Sequence, residues 1–196
     1  FVIAIFTCII STIFVLSVAY SMSRMRFKMR KPFMNIAMII GLFPSFMSMI
    51  AVYYILRALN LADGAMIRVA LIIVFSAGSG AGFYVAKGFF DTISKSLDEA
   101  AIIDGATRWN VFTKITVPLS KPIIVYTILT SFMGPWVDFI FGKVICRADA
   151  QYYTVSIGLW KMLEKEYIDS WYTCFAAGAV VVSIPIAILF LMTQKF

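Results

Sequence analysis

The sequence predicts an all-α membrane protein in which several transmembrane helices pack as one bundle. Hydrophobic residues make up 62% of the 196 residues and charged residues only 14%, whereas a soluble domain is about half apolar and about a quarter charged. The mean hydropathy is +0.92. Five long stretches also contain no Lys, Arg, Asp or Glu, and about 20 mostly apolar residues are enough for a helix to cross a bilayer.

Five transmembrane helices are predicted from these stretches, and they make residues 1–196 a single transmembrane domain. Their approximate bounds are 1–22, 33–56, 67–88, 122–142 and 170–194. The third needs Lys87 to extend its ammonium group toward the headgroups, and the fourth needs Asp138 inside the helix. The first stretch is too long for a signal peptide and lacks a basic start. Because it begins with Phe1, we expect one earlier helix before it.

The basic residues are distributed unequally among the gaps between these helices. Gaps 24–31 and 87–121, together with the C-terminal end, hold eleven of the 17 Lys and Arg residues, and gaps 57–68 and 143–169 hold six. Lys and Arg accumulate in cytoplasmic loops. The first set is therefore predicted to be cytoplasmic, with the N-terminus outside. The net charge of +7 then reflects topology and contact with anionic lipid. A nucleic-acid surface is disfavoured, because the bases are dispersed at helix ends.

Residue types disfavour several kinds of catalytic and cofactor site. The sequence has no histidine, which removes the usual general base and the commonest zinc ligand. Its three cysteines lack CxxC spacing, so buried free thiols are favoured over a metal site. The glycines of residues 76–82 fit neither a dinucleotide-binding loop nor a Walker A motif. Gly78 and Gly82 form a GxxxG pair instead, which predicts close packing of the third helix on a neighbour.

Prolines and an acid lie inside the predicted helices. Pro44 and Pro185 can kink the second and fifth helices, either to line a path or as part of a static bundle. Asp138 has two interpretations, a side chain facing a cavity or partner and one lying in water at the interface. In the outer loop 143–169, an apolar stripe at helical spacing predicts an interfacial or partner-packing helix. Its members are Ile157, Trp160 and Leu163.

A polar segment, residues 92–118, separates the third and fourth predicted helices on the cytoplasmic side. Ser96 and Glu99 form the S-x-x-E pattern of a capping box, so a short helix is predicted to begin at Leu97. Gly105, directly after Asp104, suits the left-handed conformation that ends a helix.

A second short helix is predicted over residues 108–116, with Thr107 as its cap. Val117 precedes Pro118, which disfavours further helix there. The first short helix presents a flat face at i, i+3, i+4, i+7 spacing, which is suited either to docking or to an ordinary amphipathic loop. The face consists of Leu97, Ala100, Ala101 and Asp104, flanked by Asp98 and Glu99.

This segment resembles the EAA loop of ABC importer permeases. The stretch EAAIIDGATRWNVFTKITVP keeps the order EAA, three residues, G, nine residues, I-x-V-P, with Val117 where Leu is commoner. Residues 87–122 as a whole resemble the carbohydrate branch, near the maltose/maltodextrin-type second permease subunit. The basic SRMRFKMRK stretch is similar to that branch. WVDFIFG also resembles its W-N-D/E-F-L-x-P pattern, with Val137 and Gly142 as departures.

The resemblance implies a type I ABC importer permease fold with six core helices, five of them in this chain, in a bacterial or archaeal cytoplasmic membrane. It implies a second permease subunit, two ATPase subunits that bind ATP and Mg, and an extracytoplasmic sugar-binding protein. The chain itself then needs no cofactor. The implied path residues are Trp136, Asp138 and Phe139. The implied ATPase-docking residues are Leu97, Asp98, Glu99, Ala100, Ala101, Asp104, Gly105, Ile115 and Pro118.

Two alternatives to a sugar importer stay open from the sequence. An ABC permease for an amino acid, phosphate or polyamine shares the EAA loop. A membrane sensor or scaffold could use the same polar segment to bind a regulator, and this alternative predicts no ATPase partner.

Overall fold

The computed structural model of the protein describes residues 1–42, 45–147, 150–164 and 168–194. All regular secondary structure in these ranges is helical. Short 3-10 turns occupy Ser79–Gly82 and Ala150–Tyr152, and a π-helical turn occupies Phe112–Thr116. The α-helices are α1 Val2–Arg24, α2 Arg30–Gly41, α3 Ser45–Ala58, α4 Met66–Gly78, α5 Phe83–Thr92, α6 Lys95–Ile103, α7 Arg108–Val111, α8 Val117–Leu119, α9 Lys121–Val137, α10 Ile140–Cys146, α11 Val155–Lys161 and α12 Ile168–Thr193.

Helix α1 lies at the centre of the bundle and packs against α9, α5 and α4. The buried face of its N-terminal half carries the small side chains Ala4, Thr7 and Ser11. In lipid, small residues let helix backbones approach closely, which favours packing without a hydrophobic driving force between helices. The central position of α1 therefore follows from its sequence.

The buried residues form three clusters. One surrounds the C-terminal half of α1 and includes Tyr20, Phe83 and Phe90. A second joins α3, α4, α10 and α11, and Ile157 of α11 is fully buried in it. The third joins the start of α1 to α9 through Phe132 and Trp136. The outer loop contains a helix as predicted, α11, but it ends at Lys161, before Leu163. Its Ile157 packs within this chain, which differs from the predicted interfacial or partner-packing role.

Some predicted spans are continuous helices in the structure and others are interrupted. By length and composition, Val2–Arg24 and Ser170–Thr193 can each cross a membrane alone. The third predicted helix, 67–88, is divided into α4 and α5 by the 3-10 turn, and α2 and α3 occupy the place of the second, 33–56. Pro185 lies inside α12 without interrupting it, whereas Pro44 lies outside the described residues.

The fourth predicted helix, 122–142, is not continuous. Helix α9 ends at Val137, and Asp138 has an extended backbone with φ −67° and ψ 127°. Its carboxylate Oδ2 accepts a hydrogen bond from the Gly142 N–H at 2.8 Å, which satisfies a free donor in the first turn of α10. Asp138 therefore serves a helix start at a chain bend, a role that neither of the two interpretations had included.

The GxxxG pair lies where α4 meets the 3-10 turn. A Cβ atom placed on Gly78 would have no neighbour within 4 Å, and one placed on Gly82 would meet only Val15 Cγ2 at 3.7 Å. Among the described residues, no neighbouring helix approaches Gly78 so closely that a larger side chain would be excluded there. The packing role of the pair stays a prediction that involves a partner outside this chain.

Candidate coupling site on the polar segment

Helix α6 forms the first half of the polar segment, and it begins two residues earlier than predicted. Its N-cap is Ser94, whose Oγ accepts a hydrogen bond from the Ser96 N–H at 3.3 Å. The Ser96 hydroxyl contacts Ser94 Oγ at 2.7 Å and does not form the predicted box with Glu99. Two serines in this short stretch can each cap a helix, and the sequence does not distinguish them.

The end of α6 is formed as the sequence predicts. Gly105 has a φ of +85°, in the left-handed region that glycine adopts without strain. Its N–H donates to the Ile102 carbonyl at 3.0 Å, and the Ala106 N–H donates to the Ala101 carbonyl at 2.8 Å. These two bonds form a Schellman motif. The motif reverses the chain sharply, so α6 and α7 lie next to each other.

The second half of the segment is helical beyond the predicted limit. Thr107 caps α7, and its Oγ1 accepts from the Asn110 N–H at 3.2 Å, as predicted. The π-helical turn follows, and the Val117 N–H closes it by bonding the Phe112 carbonyl. Pro118 then lies in the three-residue helix α8, which directly follows the π-helical turn. The helix therefore continues through Pro118 to Leu119.

The orientation of α6 separates the predicted docking residues into two groups. Leu97, Glu99, Ala100 and Asp104 are exposed, and Ala101 is half-buried. Asp98, predicted as a charged flank of the docking face, points the other way. Its Oδ2 lies 3.1 Å from Arg24 Nε, and the two side chains are only 13% and 4% exposed. Asp98 therefore holds the helix to α1 and is removed from the docking face.

The structure adds apolar side chains that sequence reasoning missed. Ile103 is 85% exposed and Trp109 is 69% exposed, on the two sides of the Gly105 turn. Ile102 is also exposed. In the sequence these residues looked like ordinary helix positions, although a large apolar side chain beside a helix-ending glycine is a usable signal. We call Leu97, Ile102, Ile103 and Trp109 the apolar tip.

The last turn of α1 holds the segment through Tyr20 and Arg24, and its Ser23 bonds the adjacent end of α5. We call Tyr20, Ser23 and Arg24 the α1 grip. Arg24 Nη2 donates to the Ile93 carbonyl at 2.9 Å, at the start of α6. Ser23 Oγ donates to Asp91 Oδ1 at 2.6 Å. Tyr20 Oη donates to a backbone carbonyl of α7 at 3.4 Å. The spacing of i, i+3 and i+4 places all three on one face of α1.

The three path candidates do not converge on one cavity. Trp136 is almost fully buried, and its Nε1 donates to the Val182 carbonyl of α12 at 3.2 Å. The Phe139 ring packs against that of Trp160, 5.0 Å between centroids. A cavity of about 380 Å³ between α9, α11 and α12 is lined by both Trp136 and Phe139. Asp138 does not line it, because its carboxylate is directed to α10.

Side chains that commonly bind metal ions do not cluster in the described ranges. Within those ranges no cluster of three or more His, Cys, Asp or Glu side chains is close enough to hold an ion. The Cys8 and Cys146 thiols, which are half-buried and buried, instead donate to backbone carbonyls.

The comparison with known families covers most of the chain. Residues 13–196 match the family described as the binding-protein-dependent transport system inner membrane component. The chain belongs to this family. It is therefore a multi-pass inner-membrane permease subunit of an ABC importer, and it is a transport protein rather than an enzyme. Permeases of this kind work with a second permease, an ATPase and a substrate-binding protein.

Named relatives of the permease are sugar transporters. The chain is 35% identical over 194 residues to the galactooligosaccharides transport system permease protein GanQ of Bacillus subtilis, covering 98% of this chain and 67% of that protein. It is 31% identical to the maltodextrin transport system permease protein MalD of Streptococcus pneumoniae, covering 99% and 68%. The permease also resembles the crystal structure of a bacterial ABC transporter involved in the import of the acidic polysaccharide alginate. The TM-score is 0.78 and the identity 26%, over 98% of this chain and 71% of that one.

Proposed function

We propose that this permease is a membrane subunit of an ATP-driven importer for an oligosaccharide. The substrate class is supported by two relatives whose names refer to galactooligosaccharides and maltodextrin. A second permease subunit completes the path, and an extracytoplasmic binding protein delivers the sugar. The gaps 24–31 and 87–121 face the cytoplasm, because they carry most of the basic residues.

The observation that carries the proposal is the apolar tip on a rigidly closed helical turn. An exposed Ile103 and Trp109 on the cytoplasmic side are costly in water and are suited to an apolar groove on a partner protein. The Schellman motif at Gly105 fixes the angle between α6 and α7, so the tip has a defined shape before docking. The partner is one of two ATPase subunits, and these bind ATP and Mg.

Coupling then follows from the way the segment is attached. When ATP draws the ATPase subunits together, the tip moves with the groove that holds it. The α1 grip joins α6 and α7 to the end of the central helix through charged and neutral hydrogen bonds. Displacement of the tip therefore reaches α1 directly, and α1 packs against α4, α5 and α9. The membrane helices are moved as a group, as alternating access requires.

Reconstitution of the complex tests the proposal. The permease should be purified with an ATPase and a second permease, and the complex should be placed in liposomes with the cognate binding protein. We expect ATP-dependent uptake of labelled oligosaccharides and none of amino acids, phosphate or polyamines. Purification without any ATPase would favour the sensor or scaffold alternative. Uptake of a different solute would overturn the sugar assignment alone.

A further inference from the structure

A basic cavity is lined in part by the α1 grip and by Ile102 of the apolar tip, and docking of an apolar surface does not account for its charge. Its volume is about 190 Å³, and it is enclosed by the last turn of α1, the start of α2, α6 and α7. The cavity is lined by five basic side chains and two acidic ones. They are Arg24, Arg26, Arg30, Lys95 and Arg108, with Asp98 and Glu99.

The charges around this cavity do not balance. Asp98 pairs with Arg24 at 3.1 Å, which leaves Glu99 as the single acid of the lining for the other four bases. In the described ranges the remaining ion pairs join Lys87 with Asp91 and Lys143 with Glu164, so none of those four bases has an acid at ion-pair distance. Converging cations without counter-charges repel one another and raise the local potential. Asp91 offsets part of the Arg30 charge, and the remaining excess of bases favours binding of an anion from outside this chain.

The floor of the cavity also has unused hydrogen-bonding capacity. Arg24 is 4% exposed at its side chain, yet its Nη1 has no acceptor among the described atoms, and Asp98 Oδ1 beside it has no donor there. Buried polar groups are nearly always satisfied, and an exception calls for an explanation such as a bound ion. Guanidinium groups present several donors in a planar fork that matches the oxygens of a phosphate group.

We propose that this basic cavity binds a phosphate group, carried either by an anionic lipid headgroup or by free inorganic phosphate. The volume of about 190 Å³ is smaller than the roughly 300–1,000 Å³ of typical small-molecule sites, which favours a single phosphate group over a whole nucleotide. The position favours access from the membrane surface, because exposed apolar residues such as Phe33 and Ile36 of α2 begin one turn beyond Arg30. Lys and Arg near a membrane surface are attracted to anionic lipid headgroups.

Occupancy has a structural consequence. A bound phosphate contacts bases from the α1–α2 connection, from α6 and from α7, and it therefore ties the coupling segment to both membrane helices. The bound phosphate therefore adds to the attachment that the α1 grip makes. Its binding does not depend on which solute is transported.

Two charge-matched double variants test the proposal in the full complex. Arg26→Gln with Arg30→Gln removes two bases that line the cavity, and Lys28→Gln with Lys31→Gln removes two from the same stretch that do not. In one arm, native mass spectrometry measures phosphatidylglycerol retained by the complex. In the other, calorimetry measures inorganic phosphate binding in nanodiscs of uncharged lipid. We expect at least a tenfold loss of retained lipid or bound phosphate in the cavity variant and no change in the control.

The two arms distinguish a lipid headgroup from free phosphate. Retention of phosphatidylglycerol without binding of inorganic phosphate identifies the headgroup as the ligand, and binding of inorganic phosphate without lipid retention identifies the free ion. Equal losses in both double variants would reduce the effect to general surface charge and overturn the proposal. Unchanged binding in the cavity variant would also overturn it. If that variant instead lost its ATPase subunit with unchanged anion binding, an acidic side chain of the ATPase would be the true occupant. Lys95→Gln, on α6, repeats the test if the double variant does not insert.

Discussion

Replacing Arg24 by methionine is expected to loosen α6 and to uncouple ATP hydrolysis from transport. Arg24 Nε lies 3.1 Å from Asp98 Oδ2, and Nη2 donates to the Ile93 carbonyl at 2.9 Å. Removing one member of a buried ion pair costs about 3–5 kcal/mol, because the other charge stays buried without a partner. The free energy of opening α6 should therefore fall by about 3 kcal/mol, which raises its opening equilibrium about 100-fold.

Hydrogen exchange on the complex in nanodiscs measures this effect. Amides of α6 should exchange about 100-fold faster in Arg24→Met, whereas Lys28→Met, an exposed base of the same stretch, should leave them unchanged. The double variant Arg24→Met with Asp98→Leu should recover much of the protection, since no buried charge is left unpaired. Wild-type exchange of α6 in Arg24→Met would refute the grip, whatever happened to transport.

Three further outcomes follow from single side chains. Gly105→Ala should lower sugar uptake per ATP hydrolysed, because a φ of +85° costs a residue with a Cβ about 1–2 kcal/mol. The control is Gly64→Ala, which introduces similar strain at φ +57° in the gap 57–68 and should leave this ratio unchanged. Ile103→Ser should reduce ATPase retention in pull-downs at unchanged Tm, and Leu59→Ser, also well exposed, is the control. Asp138→Ala should lower the free energy of unfolding by about 0.5–2 kcal/mol in thermal unfolding, because the Gly142 N–H loses its acceptor; an unchanged Tm would contradict the capping role.

The parts of the site that could be predicted are the ones that depend on neighbouring residues. The turn at Gly105 and the cap at Thr107 involve hydrogen bonds between residues no more than five apart. Such local geometry is specified by residue type, because glycine alone accepts a left-handed backbone without strain and a threonine hydroxyl reaches an amide of the next turn. Composition and long apolar stretches likewise predicted a helical membrane protein, although not where the helices break.

The orientation of Asp98 could not be predicted, because its partner Arg24 lies far away in the sequence. From the pattern alone, Asp98 and Glu99 were equivalent flanks of one helical face, and only the position of α1 separates a buried carboxylate from an exposed one. The break at Asp138 had a similar origin. Hydropathy indicated a helix through this acid, whereas the carboxylate bonds the Gly142 N–H and turns the chain. Hydropathy averages over a window and does not register a single side-chain hydrogen bond.

The attachment of the coupling segment to α1 has a mechanical meaning. The segment is continuous in the chain with α9, but α9 turns away from the 108–119 helix by 83°, and such a bend transmits axial force poorly. At its other end the segment meets α5, where only a short connection precedes Ser94. The α1 grip provides a second connection between the segment and the bundle. Tyr20 bonds α7, and Arg24 bonds the backbone just before α6. In the proposed coupling, force on the apolar tip enters the bundle through α1, which packs against α4, α5 and α9.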